Sequence, residues 1–98
     1  MADVDAHFYD RADALIELAN AQLAGASRAQ VGDSLLYAAA RFHAWSGACG
    51  QGSAADMGKA RAQLLEQFVS HYRVMLEANL DDYVAHFDQY MQSRQLPR

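Results

Sequence analysis

The chain has 98 residues, a formal net charge of −4 and a hydrophobic fraction of 52%. This length corresponds to a single helical or mixed domain, residues 1–98. Lysine and arginine are scattered singly, so the basic cluster expected of a nucleic-acid-binding protein is missing. No apolar run is long enough to span a membrane, and the acidic start MADVDAHF lacks a signal-peptide layout. We therefore expect a cytoplasmic protein that binds neither nucleic acid nor membrane.

The composition favours an all-α fold. Alanine, the strongest helix former, is abundant, whereas threonine is absent and other β-branched residues are few. The only proline, Pro97, lies at the C-terminus and interrupts no helix. We predict three to four helices in an antiparallel helical bundle whose long C-terminal helix either bends or runs straight.

The first helix is predicted to begin after Asp3 or Asp5, either of which can cap it, and to end at Gly25. Apolar residues recur between these points at steps of three and four, which places them on one helix face. They are Phe8, Ala12, Leu15, Ile16, Ala19 and Leu23.

The second helix is predicted to begin near Arg28, because Ser27 and Gln30 have the spacing of a capping box. Its apolar residues spread over a broad arc that alanines fill, so we expect a central core helix packed on more than one side. The alternative is a ligand pocket walled by Phe42, Trp45 and Cys49. GACGQGS then forms a helix–helix turn, and Ser53 with Asp56 repeats the capping spacing.

The third segment carries the longest periodic pattern in the chain. Apolar residues recur there with a mean step close to the helical 3.6, and they keep phase across Asn79. They are Leu65, Val69, Tyr72, Leu76, Leu80, Tyr83, Phe87 and Tyr90. Two readings stay open: one long helix, or two helices with a break at Asn79 and the last one folded back.

A straight helix would extend past the reach of the first two helices, so its far end would need another subunit. Aromatic residues with polar tips are enriched at protein interfaces. We therefore expect a homodimer built on residues 80–91, the alternative being a monomer of four helices. The predicted interface residues are Leu80, Tyr83, Phe87, Tyr90 and Met91.

The charged and titratable residues suggest structural roles. Arg41 follows three alanines and is predicted to form an ion pair with Asp81 or Asp82. His7 with Asp10, and Asp82 with His86, have spacings that a metal could use, but neither pair is specific. Cys49 has no base at a suitable helical spacing, since His43 lies on another face. We expect no metal, no cofactor and no enzymatic activity.

Three strings, FYDRADALIELAN (8–20), SLLYAAARFHAW (34–45) and FVSHYRVMLEANLDDYVAHFDQYM (68–91), resemble a small bacterial family, domain of unknown function 3144. This resemblance implies a short, soluble, helical bacterial protein without transferable site residues. The leading functional hypothesis is a structural or protein-interaction module that self-associates and that could bind a further protein. The alternative is a small-molecule-binding bundle with its pocket near Phe42, Trp45 and Cys49.

Overall fold

The computed structural model describes residues 5–92, and this part of the chain is all-α. The helices follow one another as α1 (Phe8–Gln22), α2 (Arg28–Cys49), α3 (Ala54–Ala85) and α4 (Phe87–Met91). At 1.5 Å per residue, the 32 residues of α3 span about 48 Å. The predicted fold class, with its long C-terminal helix, is confirmed. None of the helices in this range is long and apolar enough to cross a membrane.

Two of the predicted helix starts are confirmed by their caps. Ser27 Oγ accepts a hydrogen bond from the backbone N–H of Gln30, and the Gln30 side chain accepts one from the N–H of Ser27. This reciprocal pair is the capping box of α2. At the start of α3, Ser53 Oγ accepts a hydrogen bond from the N–H of Asp56 at 3.1 Å. The bonds that the two serine hydroxyls accept satisfy helix N–H groups that have no intrahelical partner.

The cap predicted for α1 is wrong. The residue that flanks this helix is His7, and its side chain makes no capping bond. Asp5 accepts a hydrogen bond from the N–H of His7 at 3.0 Å and pairs with Arg11 Nη2 at 2.6 Å. It therefore stabilises the segment before α1 and does not cap the helix. Asp3 lies outside the described residues. At the other end α1 stops at Gln22, and Gly25 belongs to the following turn.

The α2–α3 hairpin is held by a close contact near its turn. Leu64 approaches the backbone of Gly47, and the His43 ring stacks on the Phe68 ring with centroids 4.4 Å apart. Because the chain positions rise in α3 as they fall in α2, the two helices run antiparallel. On α3 the half-buried residues Met57, Leu64 and Phe68 follow this contact line. Residues 71–89 are all exposed, so the contact covers only the first half of α3.

The break predicted at Asn79 does not occur. Asn79 lies within α3, and its side-chain Nδ2 donates to the backbone oxygen of Met75 at 2.7 Å. The helix ends instead at Ala85, and His86 separates it from the single turn of α4. Residues 80–85 therefore remain in line with α3, so the alternative with a break at Asn79 is wrong, and only the single turn of α4 follows His86 within the described residues.

The expectation that α2 is the core helix of the chain is also wrong. Among the described residues only Val31 and Gly47 are buried, and the large side chains of α2 are exposed. Phe42 and Trp45 leave 63% and 62% of their surface in solvent. The reason is that α1 and α3 cover α2 only near its two ends. The apolar arc is present as the sequence predicts, but residues 5–92 contain no further element that packs on it.

The chain forms an open arrangement of helices over residues 5–92. Its Cα radius of gyration is 16.3 Å, whereas a compact domain of this length has about 12.6 Å. The accessible surface is 8445 Å², against about 5,500 Å² for a compact chain of 10.8 kDa. The ten residues outside the described range account for at most about 1,600 Å² if fully extended. About 1,300 Å² of excess surface therefore belongs to the described helices.

Candidate interaction surface

One face of α3 is a continuous apolar stripe that no other part of residues 5–92 covers. We define the α3 stripe as six residues of this helix, whose exposed fractions run from 38% to 56%. They are Leu65, Val69, Tyr72, Leu76, Leu80 and Tyr83. The sequence predicted an uncovered far end only, yet the near half from Leu65 to Leu76 is equally exposed. The α2 contact occupies a neighbouring face, that of Leu64 and Phe68, and so leaves the α3 stripe free.

The predicted interface residues near the C-terminus divide into two groups. Leu80, Tyr83 and Phe87 are exposed, with Phe87 at 53%. Tyr90 and Met91 are half-buried. The Tyr90 ring meets the Tyr83 ring edge-on, with centroids 4.9 Å apart. Leu80 and Tyr83 therefore belong to the α3 stripe and Phe87 extends it. Tyr90 and Met91 are less exposed, and Tyr90 packs on its own chain.

A carboxylate organises this end of the molecule. The Tyr90 hydroxyl donates to Asp82 at 3.0 Å, and Asp82 Oδ1 lies 3.1 Å from His86 Nδ1. The hydrogen bond to Asp82 raises the pKa of Tyr90 above its ordinary value, because ionising the phenol would remove the donated proton. The hydrogen bond from Tyr90 to Asp82 thereby connects the single turn of α4 to α3.

The apolar arc of α2 forms a second uncovered surface. Phe42 and Trp45 lie with ring centroids 5.4 Å apart and line an open groove. Tyr37, Ala38, Arg41 and Ala44 complete its lining. Cys49, the third member of the predicted pocket, is exposed but does not line this groove. All the lining residues come from one helix, so the groove is a surface feature and not an enclosed cavity.

The predicted ion pair of Arg41 is absent within residues 5–92. The ion pairs in this range join Asp5 to Arg11, His7 to Asp10 and Asp82 to His86. Arg41 lies instead at the edge of the α2 groove, where it is exposed and pairs with no carboxylate of the described residues. The prediction fails because α2 is not enclosed, so its guanidinium stays in water and needs no buried partner.

The two histidine–carboxylate spacings do bring side chains together. His7 Nδ1 lies 3.3 Å from Asp10 Oδ2, and His86 meets Asp82 as described. Within the described part of the chain, no group of three or more His, Cys, Asp or Glu side chains could hold a metal ion.

At the N-terminal end the Arg11 guanidinium, through its hydrogen bond, lowers the pKa of the Asp5 carboxyl below its ordinary value.

Comparisons with known proteins agree with this architecture. A solved structure described as the NMR structure of the protein NB7890A from Shewanella sp is similar to the chain, with a TM-score of 0.75 and 30% sequence identity. The similarity covers 96% of this chain and 100% of that one. No curated protein matches the sequence. The family described as "Protein of unknown function (DUF3144)" matches residues 8–84. The chain therefore belongs to the DUF3144 family, as the three strings in its sequence indicated.

Proposed function

We propose that the protein is a non-catalytic helical module that works as a homodimer, in which a second copy covers the apolar faces that one chain leaves exposed. The observation that carries this proposal is the excess surface of about 1,300 Å² on the described helices. Two chains that each bury this area remove about 2,600 Å² from water. That total falls in the range of obligate homodimers, about 2,000–5,000 Å².

The distribution of apolar side chains supports self-association. Eighteen large hydrophobic residues are exposed, and only Val31 among the described apolar side chains is buried. Burying one such side chain contributes about 1.5–3 kcal/mol, so an isolated chain forgoes most of the free energy that stabilises a fold. A domain of this size is marginally stable even when compact. The second copy supplies the core that the single chain lacks.

The open shape of the α2 groove, lined by Phe42 and Trp45, favours contact with a protein over the binding of a small molecule. Pockets for small molecules are concave and bury most of the ligand surface. The Phe42–Trp45 groove is open and is lined by a single helix. Aromatic residues on an open helix face match the surfaces that pack against another helix. We therefore place a small-molecule-binding role second to self-association.

Thermal unfolding at several protein concentrations tests the proposal with the wild-type chain. If folding and dimerisation are coupled, mass action raises the melting temperature with concentration, by a few degrees for each tenfold increase. Tyr83→Glu and Phe87→Glu place charges on exposed apolar positions and should lower the melting temperature at every concentration, because a weaker dimer leaves more of the chain unfolded. Gln67→Glu adds the same charge on another exposed face of α3 and should leave the melting temperature unchanged. A wild-type melting temperature that is independent of concentration would contradict the proposal.

A further inference from the structure

We infer that the centre of the dimer is an antiparallel pairing of α3 with α3 of a second copy, with Leu76 on the two-fold axis. This inference rests on the proposed homodimer and adds the helix, direction and register of the contact. It also moves the centre of the interface away from residues 80–91. Three observations support it: the spacing of the α3 stripe, its side-chain sizes and the charges beside it.

Five residues of the α3 stripe, from Val69 to Tyr83, are spaced symmetrically about Leu76. From Val69 the steps along the stripe are three, four, four and three residues, ending at Tyr83. When two such helices lie antiparallel, residues equally far from the axis in opposite directions meet. A stripe with the same spacing in both directions then matches its own copy without a gap. A C2 interface requires this self-complementarity.

The side chains that would meet are complementary in shape. On each side of the axis an aromatic ring faces an aliphatic side chain: Tyr72 meets the partner's Leu80, and Val69 meets the partner's Tyr83. At the axis Leu76 meets the partner's Leu76. No layer places two rings against each other. Layers of mixed size let two helices interdigitate as the side chains of protein cores do.

The charges beside the stripe are self-complementary in the same register. Arg73 follows Tyr72 and Glu77 follows Leu76, so both residues lie on one flank of the stripe, a turn apart. Neither has an ion-pair partner within residues 5–92. In the antiparallel pair, Arg73 and the partner's Glu77 are about 3 Å apart when their separation is measured along the helix axis. The two-fold axis makes this ion pair twice.

These features identify the occupant as a second copy of the chain. An unrelated protein would cover an apolar stripe, but it would not require symmetric spacing or charges that match themselves. The α2 groove lies away from this contact and is not needed to explain it.

Cysteine cross-linking in the full chain tests the register directly. Cys49 is exposed and is first replaced by Cys49→Ala to remove background reaction. Under mild oxidation with copper phenanthroline, Leu76→Cys should link two chains, because its Cα atoms meet at the axis. Val69→Cys alone should not link, since the two copies of residue 69 lie about 21 Å apart along the helix axis. A mixture of Val69→Cys and Tyr83→Cys chains should link.

Each other outcome overturns the inference in a recognisable way. If Val69→Cys and Leu76→Cys each link to their own copies, the helices are parallel; if only Val69→Cys does so, the antiparallel pair is centred on residue 69 instead. A dimer in which none of the α3 cysteines links has its centre elsewhere, with the α2 groove or an α3–α2 contact as the remaining surfaces. In each of these cases the homodimer stands and only the pairing fails. If the wild-type chain is monomeric by light scattering, the proposed function fails as well.

Charge reversal gives an independent readout without cysteines. Arg73→Glu places two acids at each ion pair, and Glu77→Arg places two bases there, so each variant should dimerise roughly 10-fold more weakly than wild type. Mixing the two variants restores opposite charges at both pairs, and heterodimers should form in preference to either homodimer. Gln67→Arg, on the far side of α3 from the stripe, serves as the control. Variants that dimerise as tightly as wild type would overturn the placement of Arg73 against the partner's Glu77.

Discussion

Leu64 of α3 lies so close to Gly47 of α2 that its Cδ1 is 3.1 Å from the position that a Cβ on Gly47 would occupy. This approach holds the two helices together near their turn. Gly47 is also one of the two buried residues in the described range. The absence of a side chain at one position of α2 therefore sets the distance between the helices and, with it, the direction in which α3 leaves the hairpin.

Gly47→Leu should destabilise the protein by about 1–3 kcal/mol, because the new side chain overlaps Leu64 and forces the helices apart. Chemical denaturation followed by circular dichroism measures the change. Gly32→Ala is the matched control, since a Cβ at Gly32 meets nothing within 4 Å. It should stabilise the protein by about 0.5–1 kcal/mol through helix propensity. Equal effects of the two substitutions would contradict the close packing at Gly47.

The parts of the fold that depend on local bonds were predictable from sequence. The capping box of α2 and the cap of α3 were read correctly because a serine and its partner three residues later interact without help from the rest of the chain. The end of α3 was not predictable in this way. Asn79 looked like a break, but its side chain bonds to the carbonyl of Met75 on the same helix. Nothing local marked His86 as the residue where α3 ends.

Burial was the other limit of sequence reasoning. The apolar arc of α2 predicts that these side chains leave water, but a pattern does not say which chain covers them. Phe42 and Trp45 were read as core residues or as a pocket and are exposed in the single chain. The ion pair of Arg41 failed for the same reason, since it assumed an enclosed α2. The α3 stripe was found from its period, although its near half was assigned to the interior.

Ser27→Ala should cost about 1 kcal/mol of stability, because the N–H of Gln30 loses its acceptor at the start of α2. Urea denaturation gives the difference from a shift in midpoint at constant slope. Ser34→Ala removes an exposed hydroxyl from the interior of the same helix and should be neutral or slightly stabilising. A neutral Ser27→Ala would show that the capping box contributes nothing in solution.

Asp82→Asn should lower the pKa of Tyr90 toward its ordinary value of 10.0, since the hydrogen bond to the carboxylate raises it. NMR titration of the Tyr90 ring measures this pKa. Because the pKa is higher in the folded protein, the bond contributes its full stability below pH 10.0 and loses it as the pH rises through the folded pKa. Asp81→Asn removes a neighbouring carboxylate that does not contact Tyr90 and should leave the pKa unchanged. A Tyr90 pKa that Asp82→Asn does not move would remove the bond that ties α4 to α3.

The most direct test of self-association is the molar mass of the wild-type chain in solution. Sedimentation equilibrium at micromolar concentration should give twice the chain mass of 10.8 kDa, because a second copy has to cover the exposed faces of α2 and α3. Dilution should produce unfolded chains and not folded monomers, since only Val31 and Gly47 are buried within residues 5–92 of one chain. A folded, fully helical species of 10.8 kDa at the same concentration would contradict the homodimer.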